Sequence, residues 1–370
     1  MPVPLLDLKA QHARIRETVM RAMMKVVDDQ TFILGKPVED FEGEIATLSH
    51  TRFAIGCANG SDALLLALRA LDIEAGHEVI TTPFTFFATA GAIHNSGAKT
   101  VFADIEPDTF SLDPAAAAAV VTSSTRAIMP VDLFGQIAPI ERYADTMPRV
   151  PVIEDAAQSI GARRSFDGEW RMAGERAAIG TFSFFPSKNL GGYGDGGMLV
   201  TQSDHLAMRL RRLRTHGAIK TYVHEEIGYN SRLDTLQAAV LSAKLPFLAE
   251  WSAARRAHAA YYDAALADVP EIRTPAIDGA NESIYNQYTI RTEPRDALQA
   301  HLKAKEIGTA IYYPIPLHLQ QCFAYLGYKQ GAFPEAERAS KEVLSLPVYP
   351  ELTHLQQDEV IAAVRSFFGR

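Results

Sequence analysis

Short apolar segments alternate with stretches of helical periodicity between residues 50 and 215. The apolar segments are bounded by Gly, Pro or Asp and read FAIGCA, EVITTP, TVFADI, AIMPVDLF, VPVIED, GTFSFF and GMLVT. Continuous apolar runs of this length, separated by helical segments, are typical of strands that are covered on both faces. The pattern therefore predicts an α/β fold with a mainly parallel sheet covered by helices.

The pattern changes in the last third of the chain. A helical stretch begins at about Leu233 and continues past Pro246 into a second helix. The elements expected from there on are helices at 249–268, at 294–306 and from about Leu355, and strands in SIYNQYTIR and TAIYYP. These elements describe a smaller α+β unit, so we predict a large domain at residues 1–245 and a small C-terminal domain at 246–370.

Composition places the chain among ordinary globular proteins. The 370 residues are 47% apolar and 22% charged, which is enough for a large core and two domains. The net charge of -8 is spread along the chain without a basic block, which argues against a nucleic-acid or membrane surface. Two cysteines, Cys57 and Cys322, cannot build a disulfide framework or a zinc knuckle. With no run near the roughly 18 apolar residues of a membrane span, we expect a protein of the reducing cytoplasm.

One lysine stands beside a cluster of glycines in SFFPSKNLGGYGDGG, residues 183–197. The stretch matches G-x-G-x-x-G, but the glycines lead into the apparent strand GMLVT, whereas a dinucleotide-binding turn must open a helix. A Walker loop needs Ser or Thr after its lysine, and here Ser187 precedes Lys188. A lysine in a tight, apolar-walled site can lose its proton and act as a Schiff-base nucleophile. The alternative is a solvated lysine without a role.

Polar residues also follow other predicted strands, where the ligands of parallel sheets collect. Gly60 and Ser61 open a helix and can hold a phosphate, although a plain N-cap at Ser61 is by itself the commoner case. Asp155 can pair with a protonated ring nitrogen or cap a helix formed by the AAQS segment. Phe86 can stack on a flat cofactor or belong to the core. Together with Lys188, they form the set that pyridoxal phosphate needs.

Seven motifs, taken in order, resemble the DegT/StrS family of nucleotide-sugar aminotransferases. They are FILGKPVEDFE, CANGSDALLLAL, HEVITTPFTFFATA, VIEDAAQSIGA, SFFPSKNLGGYGDGG, GYNSRLDTLQAAVL and IYYPIPLHLQ. The resemblance runs from residue 7 to the last helix. It implies a fold-type-I, aspartate aminotransferase-like enzyme with a mixed, mainly parallel sheet in the large domain and a smaller α+β domain that helps to close the site. It also implies a homodimer with shared active sites.

The resemblance assigns roles motif by motif. Lys188 would form the Schiff base with pyridoxal 5'-phosphate, Asp155 would pair with the pyridine nitrogen, Gln158 would meet the ring hydroxyl and Phe86 would stack on the ring. The phosphate ligands would be Gly60, Ser61, Ser183 and the partner subunit's Asn230. Tyr313 would be an aromatic wall of the substrate site.

Two further assignments and one omission follow from the same comparison of motifs. Arg232 and His318 would bind the carboxylate or the sugar, but Arg232 can equally form a helix-start salt bridge and His318 can be a satisfied loop residue. Asp132, in DLFG, takes the place where relatives often carry a histidine, and it is given no role.

The implied reaction moves an amino group from L-glutamate to a keto nucleotide sugar through pyridoxamine 5'-phosphate. SKNLGGYGDGG and YYPIPLHLQ favour a 3-keto sugar, such as a 3-keto UDP-N-acetylhexosamine or its uronate. A lipopolysaccharide or other glycan precursor pathway would follow by analogy. The alternatives are a 4-keto sugar, a pyridoxal enzyme acting on amino acids only, or a non-catalytic regulator. Relatives that dehydrate sugars carry histidine in place of the lysine, and this chain keeps Lys188.

Overall fold

Helices and strands alternate along the computed structural model, which describes residues 2–370. The helices are α1 (Leu8–Asp29), α2 (Lys36–Leu48), α3 (Gly60–Ala70), α4 (Phe87–Asn95), α5 (Pro114–Ala119), α6 (Ile140–Thr146), α7 (Asp204–Leu213), α8 (Thr235–Lys244), α9 (Leu248–Leu266), α10 (Arg295–Ala304), α11 (Pro334–Glu342) and α12 (His354–Phe367). The strands are β1 (Phe53–Cys57), β2 (Glu78–Thr81), β3 (Lys99–Phe102), β4 (Thr125–Met129), β5 (Ile153–Asp155), β6 (Arg163–Phe166), β7 (Glu169–Met172), β8 (Ile179–Ser183), β9 (Gly197–Thr201), β10 (Ala218–Lys220), β11 (Val223–His224), β12 (Asn281–Glu282), β13 (Tyr288–Arg291) and β14 (Val343–Leu346).

A central sheet joins seven of the strands. The groups β1-β9-β8-β5 and β3-β2-β4 meet through parallel bridges that pair Ile128 with Val152 and Val131 with Asp155. Strand β9 runs antiparallel to both of its neighbours, β1 and β8, whereas the other pairings are parallel. The predicted mixed, mainly parallel sheet is thus confirmed. Because β1, β2, β4, β5 and β8 run in one direction, their carboxyl ends share one edge of the sheet.

The C-terminal elements form a second core. Strand β13 pairs antiparallel with β14. Helices α9, α10 and α12 contribute apolar side chains to this core, among them Tyr262, Leu298 and Val360. Helix α8 instead packs against α1 and α2. This arrangement is an α+β unit of the kind the sequence predicts, and the division at residues 245 and 246 stays a prediction.

Two strand predictions in this region are wrong in detail. Only Tyr288–Arg291 of SIYNQYTIR is a strand, and TAIYYP contributes a single bridge, between Ala310 and Ser345. Pro314 and Pro316 both lack a backbone N–H, so the segment cannot continue as a paired strand there. The partner of β13 is Val343–Leu346, which is buried throughout and which the apolar pattern did not single out. Within residues 2–370, no helix has both the length and the apolar character needed to cross a membrane.

Candidate active site

The glycines after Lys188 let the chain pack closely against itself. A Cβ atom at Gly192 or Gly194 would lie 2.8 or 2.9 Å from the side-chain amide of Gln237. Gln237 also accepts a hydrogen bond of 2.8 Å from the backbone N–H of Tyr193. The segment then enters β9, so it does not open a helix. These glycines therefore shape the lysine-bearing loop and do not form a dinucleotide-binding turn, as the sequence predicts.

Lys188 lies just beyond the end of β8 and is half-buried. Its backbone N–H donates a hydrogen bond of 2.8 Å to the carbonyl oxygen of Phe185. Burial lowers the pKa of the Lys188 ammonium to about 8, while the negative charge of Asp155 acts in the opposite direction. A lysine in this state is neutral for part of the time near neutral pH, and a neutral amine is a nucleophile.

Asp155 ends strand β5 and is 5% exposed. Its carboxylate accepts hydrogen bonds from the Thr89 hydroxyl at 2.8 Å and from the Ala157 N–H at 3.3 Å. Burial raises the pKa of Asp155, and the two hydrogen bonds and Lys188 oppose that change. The AAQS segment is a turn and not a helix, so the helix-cap interpretation of Asp155 is wrong. Thr89, inside the TTPFTFFATA stretch, is a site residue that sequence reasoning missed.

The first turn of α3 faces Ser183 at the end of β8. The N-cap of this helix is Asn59, whose side chain accepts from the Asp62 N–H at 2.8 Å. The expectation that Ser61 is the N-cap is wrong, because the helix begins at Gly60 and Ser61 is exposed in its first turn. A Cβ atom at Gly60 would lie 2.7 Å from the Cβ atom of Ser183. The first-turn N–H groups that Asn59 leaves uncapped, beside the Ser183 hydroxyl, form a cradle that suits a phosphate.

We expect Gly60→Ala to destabilise the protein by about 1–3 kcal/mol, because the added methyl group must displace the β8 backbone or the helix. Gly43→Ala is the matched control, since Gly43 lies in α2 with no atom within 4 Å of an added Cβ. It should be neutral or stabilising by up to about 1 kcal/mol. Urea unfolding of both variants measures the difference. Equal stability of the two would contradict the close packing of Gly60 on Ser183.

Gln158, Tyr313 and Phe86 form one wall beside Asp155. The Gln158 amide accepts from the Phe134 N–H at 2.7 Å and donates to the Tyr313 hydroxyl oxygen at 3.3 Å. The Tyr313 ring lies 6.2 Å from the ring of Phe86, centroid to centroid. Phe86 is 57% exposed, which is unusual for a phenylalanine and leaves its ring free to contact a flat ligand.

The structure does not bring three of the predicted residues into this group by side-chain contacts. Asn230 is exposed, although its neighbour Ser231 accepts from the Ala58 N–H at 3.2 Å, beside the phosphate cradle. Arg232 is half-buried and takes no part in the ion pairs seen within residues 2–370, so the salt-bridge interpretation is not supported. The His318 ring is buried, and its Nε2–H donates to the Glu337 carboxylate at 3.0 Å.

The environment of His318 is aromatic. Its ring lies 4.8 Å from the ring of Phe333, and its Nδ1 atom is buried without a hydrogen-bond partner in the described chain. Burial lowers the pKa of the imidazole, with Glu337 opposing the shift. Only one of the two ring nitrogens of His318, Nε2, has a hydrogen-bond partner within the described chain, so the prediction of a fully satisfied loop residue is met in part.

The order of these groups along a mixed sheet matches one protein family from end to end. The model of the DegT/DnrJ/EryC1/StrS aminotransferase family matches residues 13–365. The chain belongs to this family. As a member it is a transferase of the sugar aminotransferase class.

Individual relatives cover almost the whole chain. A pleiotropic regulatory protein of Geobacillus stearothermophilus is 49% identical, over 100% of this chain and 99% of its own. The UDP-N-acetyl-3-dehydro-alpha-D-glucosamine 3-aminotransferase of Acidithiobacillus ferrooxidans is 42% identical, over 98% and 97%. Among solved structures, DesV of S. venezuelae in complex with a ketimine intermediate is 41% identical, with a TM-score of 0.97 over 100% of this chain and 99% of that one.

Proposed function

We propose that the chain binds pyridoxal 5'-phosphate and uses it to move an amino group onto a keto nucleotide sugar. The observation that carries this proposal is the placement of a half-buried lysine, a buried acid and the first turn of a helix at one edge of the sheet. Asp155 is buried and has no ion pair within residues 2–370, so it suits a ligand that brings a protonated ring nitrogen. When bound, pyridoxal phosphate supplies an electrophilic aldehyde and an electron-withdrawing ring.

The residues of the chain would divide the work as follows. Lys188 would bond to the aldehyde and, once released, carry a proton between the amino acid's α-carbon and the ligand. Asp155, oriented by Thr89, would keep the ring nitrogen protonated. Gln158 would meet the ring hydroxyl, and Phe86 would lie against the ring face. The first turn of α3 and Ser183 would hold the phosphate and so fix the orientation of the reacting bond.

For the substrates, we propose L-glutamate as the donor and a 3-keto nucleotide sugar as the acceptor. Relatives at 38–42% identity are named for 3-oxo or 3-amino sugars linked to UDP or dTDP, which supports carbon 3 but not one sugar or nucleotide. Arg232, His318 and Tyr313 are the proposed substrate contacts. For His318 the free Nδ1 is the atom that can take part, because Nε2 is bonded to Glu337.

We also propose a homodimer in which Asn230 reaches the phosphate of the partner subunit's site. The hairpin of β10 and β11 and the segment after it carry the most exposed large hydrophobic side chains among residues 2–370, Tyr222 at 93% and Ile227 at 88%. Exposed apolar groups of this kind favour contact with another surface. Asn230 follows this segment and is itself exposed. A monomeric mass in light scattering would contradict this proposal.

A regulatory role is the second candidate, because a relative at 49% identity carries a regulatory name. A pure regulator has no need of a lysine whose pKa is held near 8 beside a buried acid. The two functions differ in what glutamate does to the protein.

The first experiment is a pair of half-reactions on purified protein loaded with pyridoxal phosphate. We expect L-glutamate to bleach the visible absorbance of the bound cofactor, and we expect a 3-keto nucleotide sugar to restore it while a 4-keto sugar does not. Restoration by the 4-keto sugar alone would indicate that the enzyme aminates carbon 4 and not carbon 3. Restoration by 2-oxo acids but by neither sugar would favour an enzyme of amino acids only. No response to glutamate would favour the regulator.

A further inference from the structure

Two carboxyl groups are buried against each other directly behind the strand end that carries Asp155. Asp132 is 0% exposed and Glu154 is 1% exposed. Asp132 accepts hydrogen bonds from the Ala138 N–H at 2.8 Å and from the Ser159 hydroxyl at 2.6 Å. Glu154 accepts from the Gly174 N–H at 2.9 Å. Val131 bridges Asp155, and the Asp132 N–H donates to the Asp155 carbonyl at 3.0 Å, so Asp132 and Glu154 lie on adjacent strand ends where their buried carboxyl groups interact.

No positive charge in the described part of the chain compensates this pair. Neither carboxyl group takes part in an ion pair within residues 2–370, and the titratable groups that face them are Tyr143, Asp155 and Glu175. The charge of Glu175 is matched by Arg171, at 2.9 Å. Two ionised carboxylates only accept hydrogen bonds, so they cannot bond to each other without a proton.

We propose that Asp132 and Glu154 share a single proton at neutral pH, with Glu154 as its main holder and Asp132 as the charged acceptor. The distribution of donors supports this assignment, because Asp132 already receives two hydrogen bonds whereas Glu154 receives one. Burial raises the pKa of Asp132 to about 6 and raises the pKa of Glu154 further above its ordinary range. The two groups titrate as one coupled unit.

The shared proton would help to hold the backbone of Asp155 in place. The backbone N–H of Asp132 donates to the carbonyl of Asp155 at 3.0 Å, and the N–H of Asp155 donates to the carbonyl of Pro130 at 3.0 Å. The bond from Ser159 ties Asp132 to the turn that carries Gln158. Asp132 and Glu154 are therefore positioning residues for the acid and the amide of the site. The proposal that Asp132 and Glu154 share a proton does not depend on the proposed function. The proposal that they position Asp155 for the cofactor does rest on the proposed function.

Infrared spectra of the full chain, freed of cofactor, test the shared proton at pH 7. We expect the wild type minus Glu154→Gln difference to contain the carbonyl stretch of one protonated carboxylic acid. The amide keeps a donor for Asp132, so the variant should fold. Asp132→Asn should shift this band, because the charged acceptor is lost. Glu175→Gln is the control and should leave the band unchanged, since that carboxylate is paired with Arg171. A band that persists unshifted in Glu154→Gln and Asp132→Asn would overturn the proposal.

The pH dependence of the free energy of unfolding is a second test of the shared proton. A raised pKa in the folded state means that the favourable contribution of the pair is complete below about pH 4, and it is lost as the pH rises toward the folded pKa. Above the Asp132 pKa of about 6, the folded wild type retains one proton that the unfolded chain has lost, so each unit rise in pH should raise the unfolding equilibrium constant about tenfold. Glu154→Gln should lose that component. An unchanged slope would contradict the retained proton.

Cofactor affinity tests the positioning role. We expect Glu154→Ala to bind pyridoxal 5'-phosphate at least about tenfold more weakly than wild type, because Asp132 loses its proton-bearing partner and a cavity opens. Glu154→Gln should restore binding to within about twofold. If Glu154→Ala binds as tightly as wild type, the pair has no effect on Asp155. If the wild type binds no pyridoxal phosphate at all, the proposed function fails, while the infrared result still decides the shared proton.

Discussion

Lys188→Ala is expected to lower the rate of transamination by about 10³-fold or more, because it removes both the nucleophile and the group that carries the proton. Lys188→Arg should be equally inactive, since arginine keeps the charge but does not lose its proton in proteins. Both half-reactions and the covalent capture of pyridoxal phosphate by borohydride reduction measure the effect. In the wild type, the captured cofactor should be found on the peptide that contains Lys188.

A second lysine provides the control for this experiment. Lys244 is also buried, and burial lowers its pKa to about 8, but it donates to the Gly191 carbonyl and lies 5.4 Å from the centre of the Tyr193 ring. Lys244→Arg preserves a donor and a cation at this place, so it should retain both capture and turnover. Capture on Lys244, or turnover by Lys188→Arg, would show that a low pKa alone does not identify the reactive lysine and that Lys188 is misassigned.

Asp155→Asn is expected to lower kcat/KM for the donor by about 10²–10³-fold. The amide is nearly isosteric and still accepts from Thr89, but it carries no charge to hold a proton on a ring nitrogen. Absorption spectra across pH should show the bound cofactor losing its ring proton at lower pH than in the wild type.

Thr89→Val separates orientation from charge at the same carboxylate. It removes one hydrogen bond to Asp155 and leaves the negative charge in place, so we expect a loss of about tenfold only. If Asp155→Asn retained activity within threefold of wild type, or if Thr89→Val lost as much as Asp155→Asn, the charge on Asp155 would not be the property that matters.

The sequence predicts the location of a residue in the fold where its type and its place relative to a strand are enough to determine that location. Asp155 ends one apolar strand and Lys188 comes shortly after another, so the pattern places both near the carboxyl edge of the sheet once the strands are recognised. The fold class follows for the same reason. The aromatic run already makes Phe86 a candidate for stacking, and the resemblance of the motifs adds the ring hydroxyl as the proposed partner of Gln158; both roles stay predictions.

Sequence reasoning failed where a contact joins segments that are distant in the chain. The bond from Thr89 to Asp155 and the contact between Asp132 and Glu154 depend on how neighbouring strands align. The N-cap of α3 is Asn59 and not Ser61 as predicted, and the sequence could not separate the two because both residue types suit that position. TAIYYP has strand composition, but it forms only the bridge from Ala310 to Ser345 of β14 before Pro314 and Pro316 end the pairing.

The antiparallel direction of β9 has a consequence for how the lysine is carried. Because Ser183 at the end of β8 pairs with Gly197 at the start of β9, residues 184–196 form a loop whose two ends are tied together. Most surface loops tolerate added or lost residues, since only their ends are fixed. Here the middle is fixed as well, by the packing of the glycines on Gln237. In this loop the number of residues is therefore constrained as strictly as their identity.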